Sequence, residues 1–248
     1  VETGALRQLT DDVRNDWNPA WSPDGRWVVF DSDRGGQPDL WVVASEGGPA
    51  RRVTSDLAAE GPASWSPDGR TVVYAPTSTR VSIDVIPADG GTARTLVGLD
   101  GYSANAIAVS PDGRTALYVS NRSGNPDIWS VSLAGGEPTS FAASPVFDGD
   151  PQWSPDGSQV AFTSSRSGTA DLWVMPAAGG EPPRLTDWPS DEGGARWSPD
   201  GSTISFTSTR DATQPEVWSI PATGGEARRI TRTNVSAQEV RWAQDGRT

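Results

Sequence analysis

Trp-Ser-Pro-Asp-Gly at residues 21–25 recurs unchanged at 65–69, 153–157 and 197–201. Val-Ser-Pro-Asp-Gly at 109–113 and Trp-Ala-Gln-Asp-Gly at 242–246 are degenerate copies. The anchor residue therefore falls at 21, 65, 109, 153, 197 and 242, a step of 44 four times and then 45. A second phrase follows in four units: Asp-Leu-Trp at 39–41 and 171–173, Asp-Ile-Trp at 127–129 and Glu-Val-Trp at 216–218. A Gly-Gly pair comes next, at 47–48, 90–91, 135–136, 179–180 and 224–225. A fixed period of this length is the mark of a repeat architecture.

Each unit reads as four short strands. The first leads into the anchor. Ser-Pro-Asp-Gly then turns the chain, because proline suits the second turn position and glycine supplies positive φ. The second strand alternates, as in Trp-Val-Val-Phe at 27–30, and the third carries the Asp-Leu-Trp phrase. The Gly-Gly hairpin feeds a fourth strand ending in Arg-x-Thr. Four antiparallel strands in ~40–45 residues is the arithmetic of a propeller blade. No segment keeps a helical apolar period over ten residues, which excludes a helical solenoid.

Composition narrows the chemistry. The 248 residues include 27 Gly, 21 Pro and 12 Trp but no Cys and no His, and all 20 basic residues are arginine. Disulfides, Cys or His metal sites, Ser–His–Asp triads and Schiff-base lysines are thereby excluded. Carboxylate chemistry and oxygen-ligand metals such as Ca²⁺ remain open. The formal charge of −12 opposes nucleic acid and anionic membranes. No apolar run approaches the ~18 residues of a membrane span, and Val1 opens no signal-peptide pattern.

Taken together, Trp-Ser-Pro-Asp-Gly-Arg, Ser-x-Arg, Asp-Leu-Trp, Gly-Gly and a closing Arg-Leu-Thr resemble the TolB-like repeat, a relative of the WD type without its Gly-His and Trp-Asp signatures. The resemblance covers nearly the whole chain. It implies a bacterial β-propeller, often periplasmic or extracellular, and more than one use. Such propellers form the partner-binding part of TolB. They also resemble gating domains of prolyl-oligopeptidase-like peptidases and accessory domains of amidohydrolases and membrane-bound kinases.

The ends set the expected blade number. Residues 1–10 align with the hairpin and last strand of a unit, and 232–248 with a first strand. Between them lie full units at 11–54, 55–97, 98–142, 143–186 and 187–231. The expectation is an all-β, six-bladed propeller in one domain, its closing blade shared by the two termini and incomplete by 17 residues. Either the chain is a piece of a longer protein or that blade is defective, and a seven-bladed parent stays open. Unsatisfied strand edges at the gap predict self-association.

Large aromatics dominate β cores, so the anchor tryptophans and Trp41, Trp129, Trp173 and Trp218 are expected between blades. Arg34, Arg122, Arg166 and Arg210 stand 13 residues past their anchors, with Asp39, Asp127, Asp171 and Glu216 five or six further on. The spacing predicts ion pairs across the loop between second and third strands. In the second unit Ser78 and Ser82 replace both partners.

Variable loops carry binding in such folds, and here they are 11–18, 55–62, 98–106, 143–150, 187–194 and 232–239. Five residues before the anchors stand Asp16, Glu60, Asp148 and Glu192, with Ala104 and Ala237 completing the set. Turned inward, the four acids form a metal-binding collar that wants Ca²⁺ or a basic peptide. Turned back, each caps its own loop. Trp17, Tyr102, Phe147 and Trp188, with Asp150 and Glu239, are the candidate partner-binding residues, since the aromatics follow no fixed register. Exposed aromatics beside acids suit a basic and apolar peptide or a sugar ring. No catalytic residue and no organic cofactor is expected. The functional expectation is a non-catalytic module binding or scaffolding a protein or peptide. A gating propeller of a larger hydrolase is the alternative, and a lectin-like module the third option.

Overall fold

The computed structural model of the chain describes residues 7–11, 13–55, 63–76, 82–99, 102–211, 214–232, 240 and 242. Its turns are locked by their own side chains. Ser22 Oγ donates to Asp24 Oδ1 (2.6 Å), which also accepts the Arg26 N–H (3.1 Å). The Trp27 N–H donates to Ser22 Oγ (2.9 Å), and Gly25 takes a φ of 67°. Equivalent bonds recur at Ser66, Ser110, Ser154 and Ser198. Hydrogen bonds from Ser154 and Ser158 hold the Asp156 carboxyl down at about 2.

The chain divides into two units, Val1–Gly101 and Tyr102–Thr248. In the first, blade one is β1 (Asp16–Trp21), β2 (Trp27–Ser32), β3 (Asp39–Ala44) and β4 (Arg51–Arg52). Blade two is β5 (Ala63–Trp65), β6 (Thr71–Tyr74), β7 (Ser82–Pro87) and β8 (Arg94–Gly98). In the second unit, blade three is β9 (Ala104–Val109), β10 (Thr115–Ser120), β11 (Asp127–Ser132) and β12 (Thr139–Ala142). Blade four is β13 (Asp148–Trp153), β14 (Gln159–Ser164) and β15 (Asp171–Pro176), with a bridge from Trp173 to Arg184 where the others have a fourth strand. Blade five is β16 (Glu192–Trp197), β17 (Thr203–Ser208), β18 (Glu216–Pro221) and β19 (Arg228–Arg229). Every sheet runs in chain order and is antiparallel.

Alternation along the second strands serves two cores at once. Val160 and Phe162 of β14 pack with Leu117 and Ile128 of blade three. Ala161 between them packs with Ala195 and Ile204 of blade five. Strands covered on both faces need apolar residues at successive positions, so the second strands are buried along their length and do not alternate in burial as expected from the sequence. In the first unit, Val29, Leu40 and Val42 meet Val72, Tyr74 and Ile86 in the same manner.

The anchor tryptophans add a polar tie between blades. The Trp65 indole donates to the Ala20 carbonyl (3.0 Å), Trp153 to Ala108 (3.2 Å) and Trp197 to Gln152 (3.1 Å). Each acceptor is the residue just before the preceding anchor. Trp197→Phe keeps most of the packing and loses the bond. We expect a loss of about 1 kcal/mol, read as a fall of about 2–4 °C in melting temperature.

The expected six-bladed closure is corrected. Among the described residues the strands form five sheets and no sixth. An outer or inner strand needs central strands to receive its hydrogen bonds, and most of the two terminal segments expected to share that blade, 1–6, 233–239 and 243–248, lie outside the described residues. Leu9 instead packs beside Val28, Phe30 and Val43. The Trp242 indole reaches the Arg196 carbonyl (3.0 Å).

Candidate functional site

The starts of the first strands in blades one and four, where the sequence varies most, are built on one polar pattern. In blade one, Asp16 lies directly across from Ser32 in the ladder. The chain then makes a single turn of 3₁₀ helix that returns Arg34 over the strand end. Arg34 Nε donates to Ser32 Oγ (2.9 Å), and Nη2 donates to both oxygens of Asp16 (3.0 and 3.1 Å). Its guanidinium covers the rings of Phe30 and Trp41, at 4.9 and 5.2 Å from their centroids. Blade four repeats the arrangement with Asp148, Ser164 and Arg166, the guanidinium again over Phe162 and Trp173. Burial works against ionised Asp16, but bonds from Ser32, Thr10 and Arg34 outweigh it and bring its carboxyl below the usual range.

The ion pairs expected between Arg34 and Asp39, and between Arg166 and Asp171, are corrected. Each arginine bonds the acid of the first strand instead, because the tight turn folds its side chain back along its own strand. The third-strand acids point outward to the fourth strand. Asp39 pairs with Arg52 (2.5 Å), Asp171 with Arg184 (2.8 Å) and Glu216 with Arg229 (3.2 Å). The closing threonine of each of these blades, Thr54, Thr186 or Thr231, accepts a third-strand N–H at 2.9 Å. Asp127 in blade three is served by Ser123 and Asn125.

Blade five departs from the pattern. Arg210 lies 4.3 Å from the Trp188 ring centroid and 5.1 Å from that of Trp218. Glu192 is bonded by Ser190 Oγ (2.6 Å) and Ser208 Oγ (2.9 Å). Burial pushes its carboxyl up, the two serines oppose this, and the Asp171 charge adds to it. Of the four expected collar acids, Asp16 and Asp148 are thus held by arginine and Glu192 by serine. Glu60 lies outside the described residues, as does Glu239. Among the described residues no three acids gather as metal ligands.

The loop aromatics divide. Trp188 stacks on Phe206 at 5.8 Å and belongs to the core of blade five. Trp17 is 44% exposed and Phe147 39% exposed, with Tyr102 similarly open. Trp17 stands four residues before its anchor. Blade four has Gly149 at that position, and the Phe147 ring lies over it where a Cβ would stand. Two routes in sequence thus bring an exposed ring to the same place on two blades. Beside each, a bulged non-glycine residue takes positive φ, Asn18 at 49° and Asp150 at 51°. The same bulge recurs at Ala106 (φ 49°) and Gly194 (φ 65°), so it belongs to the repeat.

Comparison with known families now bears on these blades. The TolB beta propeller domain matches residues 1–142 and again 82–248. The chain belongs to the TolB β-propeller family. Among solved structures it is similar to putative TolB from Agrobacterium tumefaciens, 25% identical at a TM-score of 0.78, covering 92% of this chain and 84% of that one. It is similar in fold to TolB from Acinetobacter baumannii (21%, TM-score 0.74, 94% of this chain and 56% of that one). A puromycin-hydrolyzing peptidase of Mycobacterium tuberculosis shares the fold at 18% identity and a TM-score of 0.69, over 88% of this chain and 37% of the peptidase.

Set against the TolB-type repeat, one residue was missed by sequence reasoning. Asp31 in β2 is 3% exposed and accepts one bond, from Asn18 Nδ2 (2.7 Å). Its Oδ1 is buried without a partner, and burial pushes the carboxyl up to about 6. The signal was available in the repeat register, where the other blades carry Ala75, Val119, Thr163 and Thr207.

Proposed function

We propose that this chain is a non-catalytic binding module that takes a protein or peptide segment on the loops leading into its first strands. The observation that carries the reading is an exposed loop ring in each unit taken by itself, Trp17 in the first and Phe147 in the second. Neither position is demanded by the repeat, and a packed core gains nothing from leaving them in water. Aromatic anchors of this kind concentrate binding energy in protein interfaces. The charge of −12 favours a segment bearing arginine or lysine. The family resemblance supports a periplasmic or extracellular setting, and among the described residues no helix is long and apolar enough to cross a membrane.

The test is selection from a random peptide library on the intact chain. We expect convergent sequences with basic and apolar residues, and at least a tenfold loss of affinity in the Trp17→Ala or Phe147→Ala chain at unchanged melting temperature. No convergence, or binding indifferent to both substitutions, overturns the reading. A glycan array run beside it separates the lectin-like reading.

A second reading is favoured by one observation: this chain matches 37% of the length of the mycobacterial peptidase. On that reading the propeller gates substrate for a hydrolase domain elsewhere in the same protein. The full gene sequence decides between the two.

A further inference from the structure

We propose that blade three carries a carboxylate-binding subsite made by Arg122 and Ser120, at the place where blades one and four hold an aspartate of their own. It stands on the geometry of blade three and does not depend on the partner-binding reading above.

The repeat itself supplies the grounds. Ser120 lies across from Ala104 in the ladder, as Ser32 lies across from Asp16 and Ser164 from Asp148. Arg122 keeps its seat, its guanidinium 4.9 Å from the Trp129 ring centroid. The loop also keeps its shape. The Ser103 N–H donates to Asn121 Oδ1 (2.8 Å), just as the Asn15 N–H donates to Asp33 Oδ1 (3.1 Å) in blade one. The acid is replaced, and Ala104 stops at Cβ; Asn121 and Tyr118 stand where blade one has Asp33 and Phe30. Two groups register the change independently. Arg122 has no carboxylate among the described residues, and its one hydrogen bond is a long one to the Tyr118 hydroxyl (3.5 Å). Ser120, 1% exposed, has an Oγ with no hydrogen-bond partner. Its counterpart Ser32 accepts from Arg34 and bonds Asp16.

A guanidinium fixed over an aromatic ring is pre-organised for bidentate contact with a carboxylate. A buried hydroxyl without a partner gains from any acceptor brought to it. Both demands are met by one planar anion placed where the Asp16 carboxylate sits in blade one. Ala104 is half-buried between exposed Ser103 and Asn105, with Tyr102 exposed just upstream, so an outside group reaches the position from solvent. The overall negative charge works against anions at long range, so recognition rests on these short contacts and is weak, in the millimolar range for an isolated group. The carboxylate comes either from an acidic side chain of a peptide or from a uronic acid.

The experiment follows the Trp129 indole N–H and the Arg122 Nε–H by NMR in the intact chain. The probes are N-acetyl-aspartate methylamide and D-galacturonate. N-acetyl-asparagine methylamide and sodium chloride at matched ionic strength are the controls. Carboxylates should shift both signals and the controls should not, and the stronger of the two probes identifies the source. Ala104→Asp supplies the acid from within, so that chain should lose the response and melt about 2–4 °C higher. Arg122→Gln should lose the response by removing the donor, whatever the first variant does. Absence of a carboxylate response overturns the proposal. So does an equal response to chloride, or a full response in a folded Ala104→Asp chain.

Discussion

Arg184→Ser should lower the melting temperature by about 10 °C at neutral pH. The size follows from what the arginine faces. Asp171 is buried, and among the described residues Arg184 Nη2 is its one cationic contact, at 2.8 Å. The remaining partners of Asp171, Ser167, Thr169 and Thr186, are neutral hydroxyls. Removing one member of a buried ion pair leaves an uncompensated charge and costs about 3–5 kcal/mol, and for a chain of this size each kcal/mol is worth about 2–4 °C. Glu192 aggravates the loss, because the Asp171 charge already opposes its ionisation.

Blade three shows how the same acid is held without arginine. Ser140 occupies the register of Arg184 there, across from Trp129 as Arg184 is across from Trp173. Asn125 then donates its amide to Asp127 (3.1 Å), and the Ser144 N–H donates at 3.3 Å. Thr169 sits at the register of Asn125. Adding Thr169→Asn to Arg184→Ser should therefore recover part of the loss, and removing the charge with Asp171→Asn should recover more. Thermal unfolding of the single and double variants checks this. A single variant within about 2 °C of the parent would show that solvent, and not Arg184, compensates the acid.

Much of the architecture was legible because it is repetitive. The 44-residue register located the turns, the third strands and most of the core tryptophans, since each depends on local pattern, but the Trp21 anchor is 52% exposed and not packed between blades as expected. Blade number was not legible, since it depends on whether residues far apart in sequence meet as one sheet. The ion pairs failed for a related reason. Arg34 and Asp39 are close in sequence, yet a tight turn sends the arginine back to Asp16 and leaves Asp39 to Arg52. Sequence distance is a poor guide where a ladder brings distant residues into direct opposition. At the site, Trp188 and Trp17 looked alike as stray aromatics, and only packing separates the core residue from the exposed one. The departures from the repeat are where function has room: Ala104 in blade three, the rings of Trp17 and Phe147, and Asp31.

Asp31→Thr should raise the melting temperature by about 4–8 °C at pH 7, an advantage lost near pH 4. Threonine is the residue that blades four and five carry at this register, as Thr163 and Thr207, so the strand accepts its size and shape. Asp31 is the costly variant. Its folded carboxyl is raised from 3.8 to about 6 by burial, against a single bond from Asn18. An acid with a raised folded value binds its proton more tightly in the native state. Its destabilising effect is therefore absent below the unfolded value, grows as pH rises from about 4 to 6, and is complete above. A rise of that size corresponds to about 3 kcal/mol, at about 1.36 kcal/mol per pH unit. Part of that is returned on substitution, because Asn18 loses its acceptor while holding a left-handed φ of 49°. The net gain is about 2 kcal/mol, which for a chain of this length gives the rise of about 4–8 °C. Melting curves of parent and variant between about pH 4 and 7.5 should converge at the acid end and separate through about pH 5–6. A constant offset across that range would mean that shape, and not the buried charge, makes the difference.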